Sequence, residues 1–203
     1  MSGSMPKGLW APRPPEETRD LYSQWAGNYD ADVLAAGYAT PMRAAAALAD
    51  HLEDRTAPVF DFGCGTGLSG AALAEAGFTT IDGTDVTPEM LEEARAKGVY
   101  RKLLPGTLGE VPDLTGHAAV TAVGVVSIGA APAETLTALL DRMAPGALLA
   151  FSYNEATLAQ ADYQTALMEA QLAGHRILWA QHGPHLPEKE GARASTVYVL
   201  RRA

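Results

Sequence analysis

The chain has 203 residues, enough for one domain with a full core, and 47% of them are hydrophobic, as in an ordinary globular protein. Its formal net charge of -9 disfavours the broadly basic surface on which nucleic-acid affinity depends, although it is compatible with a local basic groove, so nucleic acid is not an expected partner. The single cysteine, Cys64, cannot form an intrachain disulfide, and the first ten residues lack the regions of a signal peptide, which favours a cytoplasmic setting. No apolar run approaches the roughly 20 residues of a membrane-spanning helix, so we expect no membrane insertion.

The N-terminal part of the chain is predicted to be helical. After a proline-rich lead, Thr18 is a candidate N-cap for a helix that carries Tyr22, Trp25 and Tyr29 on one face. A second helix is expected from Pro41, a favourable first-turn residue, to about residue 51. The chain is therefore divided into a flexible lead, a helical lid and the main domain to which the lid belongs: residues 1–17, 18–55 and 56–203.

From Pro58 onward, short apolar runs alternate with helical patterns. The runs expected to form strands are APVFDF, FTTIDGTD, VYRKLL, AAVTAVGVV and ALLAFSY. This alternation predicts an α/β fold with a parallel sheet that helices cover on both faces. Two further runs near the end, HRILWAQ and STVYVLRR, are expected to pair antiparallel at a sheet edge.

Three helices of the main domain have recognisable ends. One is expected to begin after Thr87, with a proline at its first position, and to stop at Gly98. A stripe of leucines that ends at Met143 predicts another before a Pro-Gly turn. Asn154 is expected to cap a single helix over residues 155–173.

The loop after the first strand, FDFGCGTGLSG, fits two glycine registers. Gly65, Gly67 and Gly70 spell the G-x-G-x-x-G of dinucleotide sites, whereas Gly63, Gly65 and Gly67 spell a tighter G-x-G-x-G. A glycine-rich turn from a strand into a helix presents backbone N–H groups and the positive helix end to a ligand. No Lys-Ser/Thr pair follows the glycines, which disfavours the phosphate loop of an ATPase.

Two carboxylates help to choose between the registers. Asp61 lies two residues before Gly63, where a pyrophosphate would suffer like-charge repulsion and a cationic ligand would be favoured. Asp85 ends the second strand, where a carboxylate can accept both ribose hydroxyls of a nucleoside. The alternative is structural: Asp61 could cap the glycine loop and Asp85 the following helix. The preferred register is therefore that of Gly63, Gly65 and Gly67.

Three segments, LYSQWAGNYDADVLAAGY, VFDFGCGTGLSG and GTDVTPEMLEEARAKGVY, resemble class I S-adenosylmethionine-dependent methyltransferases. More narrowly, they resemble the methyltransferase-like proteins related to the Williams-Beuren syndrome region product. The resemblance implies a Rossmann-like, seven-stranded, mostly parallel sheet with an antiparallel C-terminal edge hairpin. It also implies S-adenosylmethionine as the cofactor and methyl transfer as the activity.

The resemblance further implies which residues would hold the cofactor. The loop would line its methionine part, Asp85 would bind the ribose, and the following residues would flank the adenine. The lid aromatics would close over it, their alternative being plain core packing. The whole set is Asp61, Gly63, Cys64, Gly65, Gly67, Asp85, Val86, Met90, Thr107, Tyr22, Trp25 and Tyr29.

The sequence departs from this family on the acceptor side. Thr107 stands where relatives carry an aspartate after the third strand, and Ala130 where the narrower group tends to show a histidine. The weak candidates for a catalytic group are His182, Tyr153 and Ser127. His182 and His185, expected in a solvated loop, are the nearest candidates for a general base. They could also suggest a metal, but no acidic or cysteine partner accompanies them, so no metal is predicted.

Three functions follow from these patterns. The first is a methyltransferase that modifies a small molecule at oxygen or nitrogen, as a monomer or a homodimer. The second is a regulatory protein that binds S-adenosylmethionine or S-adenosylhomocysteine without catalysis, an alternative motivated by Thr107, Ala130 and the lack of an obvious base. The third is an NAD-dependent oxidoreductase that uses Gly65, Gly67 and Gly70.

Overall fold

A computed structural model describes residues 5–6, 9, 11, 13–187, 189 and 193–203. The strands are β1 (Val59–Phe62), β2 (Ile81–Asp85), β3 (Lys102–Pro105), β4 (Ala119–Ala122), β5 (Leu148–Asn154), β6 (Arg176–Pro184) and β7 (Ala194–Arg201). The helices are α1 (Pro15–Ala35), α2 (Thr40–His51), α3 (Leu68–Glu75), α4 (Pro88–Ala96), α5 (Glu134–Arg142), α6 (Glu155–Leu158) and α7 (Ala161–Leu172). Of the lead predicted as flexible, part lies outside the described residues.

The strands form one seven-stranded sheet in the order β3-β2-β1-β4-β5-β7-β6. The first five strands are parallel, and β7 runs antiparallel to both β5 and β6. The predicted fold class and its C-terminal edge hairpin are therefore confirmed. Because the chain winds outward from β1 to β3 and then returns to β4, the order reverses between β1 and β4, where open α/β sheets bind ligands.

Hydrophobic cores lie on both faces of the sheet. On one face, α5 and α7 pack on inward residues of the central strands, among them Phe151 and Val120. On the other face, the alanine-rich α2 and α3 pack on Val59 and Ile81. Small alanine side chains let these helices approach the sheet closely, which explains why a run such as RAAAALA forms a buried helix.

The structure corrects two helix predictions. The first helix begins at Pro15, and Thr18 lies inside it, where its hydroxyl donates to the Gly129 carbonyl at 3.0 Å instead of capping. The single helix expected over residues 155–173 is divided into α6 and α7, because Gln160 takes an extended backbone conformation (ψ 129°) between them. Asn154 does cap α6, accepting from the Thr157 N–H.

Two strand boundaries also differ from the sequence prediction. The fourth strand was expected over residues 118–126 but ends at Ala122. Beyond it, Gly124 takes a positive φ of 73° and donates its N–H to the Ser152 hydroxyl, which turns the chain out of the sheet. His182, expected in a loop, lies in β6.

Candidate functional site

A cavity of about 590 Å³ lies at the carboxyl ends of the first four strands. The ends of β1 to β4, the loops that follow them, the start of α5 and the inner side of α1 contribute its lining. Its volume falls within the range of roughly 300 to 1,000 Å³ that small-molecule sites occupy. The position and the size are those of a nucleotide-type ligand site in an open α/β sheet.

The glycine loop takes a shape that other residues would not tolerate. Gly63, Gly65 and Gly67 all have positive φ, at 66°, 53° and 88°. A Cβ on Gly63 would also lie 2.5 Å from a methyl group of Val125. The three positions of the G-x-G-x-G register therefore share one backbone requirement, and Gly63 and Gly65 line the cavity.

Gly70, the last glycine of the dinucleotide spelling, has a different role. It lies within α3, and a Cβ there would come within 2.3 Å of the Tyr100 ring. Its N–H donates to the Tyr100 hydroxyl at 3.2 Å. Gly70 makes room for a neighbouring aromatic ring, and it is absent from the described residues that line the cavity.

Asp85 is held at the cavity by backbone N–H groups. One carboxylate oxygen accepts from the Gly65 N–H at 2.9 Å and the other from the Thr87 N–H at 2.8 Å. Burial raises the pKa of this carboxyl, while the hydrogen bonds from Thr87 and Gly65 oppose that shift. Since each carboxylate oxygen can accept more than one bond, both retain capacity for the hydroxyls of a ligand.

Asp61 occupies a more interior position than expected. Only 1% of the residue is exposed, and the described lining of the cavity does not include it. Its two oxygens accept from three hydroxyls, those of Ser69, Tyr100 and Thr121, at 2.6 to 2.7 Å. Burial raises the pKa of Asp61, and the three hydroxyl bonds act in the opposite direction. The carboxylate ties β1, α3, β4 and Tyr100 together around the loop.

The other predicted cofactor residues divide into two groups. Val86, Met90 and Thr107 line the cavity. Cys64 and Gly67 do not belong to its described lining, and Cys64 packs on α4. Burial raises the pKa of the Cys64 thiol, so the thiol is protonated and unreactive.

Aromatic side chains of the lid cover the cavity. Tyr22 and Tyr29 from α1 and Tyr38 from the α1–α2 loop all line it. Burial raises the pKa of Tyr22 to about 12 and raises those of Tyr29 and Tyr38 as well, so the three phenols are neutral at physiological pH. Trp25 does not line this cavity; its indole N–H donates to Asp32 at 2.8 Å inside the lid.

Asp30 connects helix α1 of the lid to the main domain through two side-chain contacts. Asp30 accepts from the ammonium of Lys97, the C-cap of α4, at 2.6 Å and from the Thr66 hydroxyl in the glycine loop. These bonds join the lid directly to the segment that shapes the cavity. We name this contact the lid latch.

None of the three candidate catalytic side chains lines the main cavity. His182 is exposed on β6, beside the Thr196 hydroxyl. Tyr153 is fully buried among Phe151, Tyr163 and Tyr198, so it is part of the core. Ser127 borders a second, smaller space.

That smaller space, which we name the side chamber, adjoins the main cavity. It has a volume of about 40 Å³ and shares Tyr22, Tyr29, Tyr38, Gly124 and Ala130 with the main cavity as lining residues. His185 also lines it, although the sequence analysis assigned that residue to a solvated loop. Only 5% of His185 is exposed, and its ring meets that of Tyr38 edge-on at 5.2 Å.

Sequence reasoning missed three residues of the site, and it named His185 as a base candidate while expecting it in a solvated loop. Tyr38 carries no motif and reaches the cavities only through packing between distant segments. Glu134, at the start of α5, lines the main cavity and was not considered. The presence of a large neighbour such as Tyr100 could have been inferred from Gly70, because a glycine inside a helix usually has a packing reason.

A metal centre and a membrane span were not predicted. No group of three potential metal ligands occurs in the part of the chain that the structure describes. Within the same residues, every helix is too short or too polar to cross a bilayer.

Comparisons with known proteins agree with this geometry. Residues 59–144 match the family model described as a methyltransferase domain. Over 124 residues the chain is 37% identical to human methyltransferase-like protein 27, covering 59% of this chain and 51% of that protein. Over 58 residues it is 40% identical to the 18S rRNA (guanine-N(7))-methyltransferase of Bos taurus, covering 29% of this chain and 20% of that protein. The chain thus spans about half, or less, of the length of these curated relatives.

A solved structure shows the same fold. The magnesium protoporphyrin IX methyltransferase of Synechocystis, crystallised with bound S-adenosylhomocysteine, matches with a TM-score of 0.66 at 16% identity, covering 92% of this chain and 100% of that one. Such an identity shows a shared fold and no more. Together with the family match over residues 59–144, it shows that the part of the chain from β1 to α5, which carries the positive-φ glycine loop, is similar to methyltransferase domains in sequence and fold.

Proposed function

We propose that the protein transfers a methyl group from S-adenosylmethionine to an oxygen or nitrogen of a small molecule. The observation that carries this proposal is the cavity of about 590 Å³, which joins the glycine loop and Asp85 to a cover of three neutral tyrosines. A methyl donor and a compact acceptor fit together in a space of this size more readily than a folded polymer does. The net charge of -9 also disfavours a nucleic-acid acceptor.

The cofactor is placed by the polar groups at the strand ends. Asp85 accepts the ribose hydroxyls, Gly63 and Gly65 approach the methionine part, and Thr107 stands near the adenine amino group. Val86 and Met90 flank the adenine ring. Asp61, Cys64, Gly67 and Trp25 act from outside the cavity by holding the loop and the lid in shape.

The tyrosine cover suits a sulfonium ligand. A positive charge over the face of an aromatic ring gains roughly 0.5 to 2 kcal/mol, more where water is excluded. Tyr22, Tyr29 and Tyr38 border the cavity as neutral phenols, so three uncharged aromatic rings line the space proposed for the sulfonium. Methyl transfer is an in-line displacement whose leaving group departs neutral, so orienting the two reactants supplies most of the acceleration.

Calorimetric titration tests the cofactor assignment. We expect S-adenosylmethionine and S-adenosylhomocysteine to bind at one site and NAD to bind far more weakly. The reverse order would overturn the proposal and restore the oxidoreductase. Release of S-adenosylhomocysteine with a panel of small hydroxyl, amine and carboxylate compounds then tests turnover, and an 18S rRNA fragment serves as the competing acceptor. Turnover of the RNA alone would contradict the small-molecule acceptor.

A substitution at Asp85 tests whether its carboxylate binds the ribose. Asp85→Ala removes the ribose acceptor and should weaken S-adenosylhomocysteine binding by roughly 10- to 100-fold, since a hydrogen bond to a charged group contributes about 1.5 to 3 kcal/mol. Asp113→Ala is the matched control, because Asp113 is exposed and caps a turn at Thr115 outside the cavity. Unchanged affinity in a folded Asp85→Ala protein would show that the ribose assignment is wrong.

The non-catalytic alternative is distinguished by the same assays. A protein that only senses the cofactor would bind S-adenosylmethionine and S-adenosylhomocysteine yet release no product with any acceptor. That alternative is favoured by Ala130, a small apolar residue that lines both cavities on the acceptor side.

A further inference from the structure

The side chamber has an unusual wall for a space beside a methyl donor. Its described lining is apolar or aromatic apart from Ser127, Asn154 and His185, and it includes no carboxylate, lysine or arginine. Asn154 already uses its carbonyl oxygen to cap α6. The chamber's volume of about 40 Å³ is less than a tenth of the 590 Å³ of the main cavity. The chamber therefore admits a group of a few atoms, such as the reacting end of an acceptor.

A chain of hydrogen bonds runs from a cation to His185. The Arg43 guanidinium donates to the Ser195 hydroxyl at 3.1 Å. The Ser195 and Thr40 hydroxyls are 2.9 Å apart, and Thr40 lies 2.7 Å from His185 Nδ1. Among the residues described, Nε2 of His185 has no hydrogen-bond partner.

Arg43, at one end of this series of hydrogen bonds, favours one direction of donation along it. A guanidinium only donates, so Ser195 accepts from Arg43 and its own hydroxyl hydrogen becomes a better donor toward Thr40. Thr40 in turn donates to Nδ1, which leaves the proton of the neutral ring on Nε2. Burial and the charge of Arg43 lower the pKa of His185 to about 4, so the ring is a poor proton acceptor near neutral pH. In this arrangement Nε2–H is the N–H donor of the neutral ring that no described residue uses, and His185 is one of the residues that line the side chamber.

We propose that the side chamber receives the reacting group of the methyl acceptor, that this group is a carboxylate, and that His185 Nε2–H holds it. This inference rests on the methyltransferase function proposed above. An acceptor that must lose a proton finds no base in the described lining of the chamber. A carboxylate needs none, and its charge complements both the sulfonium and the donor chain that begins at Arg43.

The reaction of such an acceptor balances without proton transfer. A carboxylate oxygen forms a bond to the methyl carbon, while the sulfur–methyl bond breaks and its electron pair stays on sulfur. The products are a methyl ester and neutral S-adenosylhomocysteine. Both charges are lost in the step, which is favourable in a cavity that excludes water.

The test uses three probes of one shape on protein saturated with S-adenosylhomocysteine: benzoate, benzamide and benzylamine. We expect benzoate to bind about tenfold or more tightly than the other two, the factor of one hydrogen bond to a charged group. His185→Leu should abolish that preference, whereas His185→Gln, which keeps an N–H donor, should retain much of it. His182→Leu is the control, since His182 is exposed and far from the chamber lining.

Two results would overturn the inference. One is equal or absent binding of the three probes at millimolar concentration. The other is a ¹⁵N spectrum in which neutral His185 carries its proton on Nδ1. Failure of the methyltransferase function is a separate observation, because it would appear already as absent S-adenosylhomocysteine binding in the first titration.

Discussion

The two halves of the site are built in opposite ways. On the cofactor side, the carboxylates of Asp85 and Asp61 are both held by hydrogen bonds from the protein, the first by backbone N–H groups and the second by hydroxyls. On the proposed acceptor side, apolar and aromatic residues form most of the described wall and one neutral imidazole is the donor. The first half is a rigid polar frame, and the second is an apolar enclosure with a single polar contact.

The difference follows from where each half lies in the sequence. The cofactor side is built mostly from one segment, residues 61–107, whose turns place every group. The acceptor side combines the lid, the loop after β4 and the segment around His185, which are separated by up to 160 residues. Local chemistry can specify the first, whereas only the complete fold assembles the second.

A change of pH should reveal the largest difference between the halves. His185 is neutral when folded, with a pKa of about 4 against 6.5 in the unfolded chain. Between these values the unfolded chain binds the proton and the folded one does not, so stability falls as pH falls from about 6.5 to about 4. This histidine should account for about 3 kcal/mol of the loss.

Urea unfolding of the protein and of His185→Gln at pH 7 and pH 4 measures that contribution. The substitution should remove about 3 kcal/mol of the pH dependence, while His182→Gln, at an exposed histidine, should leave it unchanged. Parallel losses in the wild type and His185→Gln would mean that the acceptor side does not depend on a neutral imidazole.

On the cofactor side, a pair of tyrosine substitutions compares a bonded hydroxyl with an unbonded one. Tyr100→Phe removes the donor to Asp61 and the acceptor of the Gly70 N–H, and should lower the unfolding free energy by about 1 to 3 kcal/mol. Tyr153→Phe is the matched control, because that buried hydroxyl has no partner among the described residues. Equal losses in the two variants, measured by urea unfolding, would show that the hydrogen bonds of the Tyr100 hydroxyl contribute nothing.

The smallest expected effect on stability comes from the lid latch. Lys97→Met removes the ion pair with Asp30 and should cost about 0.2 to 1 kcal/mol, since the pair is partly exposed. Dissociation of S-adenosylhomocysteine, followed by stopped flow, should nevertheless become faster, because the lid is less firmly attached to the glycine loop. Arg95→Met, an exposed position on α4, should change neither quantity. An unchanged dissociation rate in Lys97→Met would show that the latch does not control access.

The fold was largely predictable from sequence, and the acceptor side was not. The alternation of apolar runs with helical patterns predicted the strands, and the antiparallel pairing of β6 and β7 followed from their position at the end. The division of α6 from α7 was missed because Asn154 and the residues after it have ordinary helical chemistry. Thr157 of α6 also accepts a hydrogen bond from the Ile128 N–H in the loop after β4, a tertiary contact that no local pattern shows.

The site residues divide in the same way into those that the sequence predicted and those that it did not. Asp85 follows from its position at a strand end, the resemblance to a known family implies Val86, Met90 and Thr107, and all four line the cavity. The aspartate before the glycine loop was expected to face the ligand, but three hydroxyls turn its carboxylate inward. The burial of His185 was not predicted, because it depends on Tyr38 and Thr40.

Tyr100 changes what the glycine spelling means. Gly67, Gly70 and Gly83 all lie against its ring, and a Cβ on any of them would approach within about 3 Å of it. Gly70, the third glycine of the apparent dinucleotide motif, is thus required by the ring of Tyr100, which lies 30 positions later in the sequence. A pattern search that asks for both the glycine and the distant ring would separate this loop from true pyrophosphate loops, which a search for glycines alone cannot do.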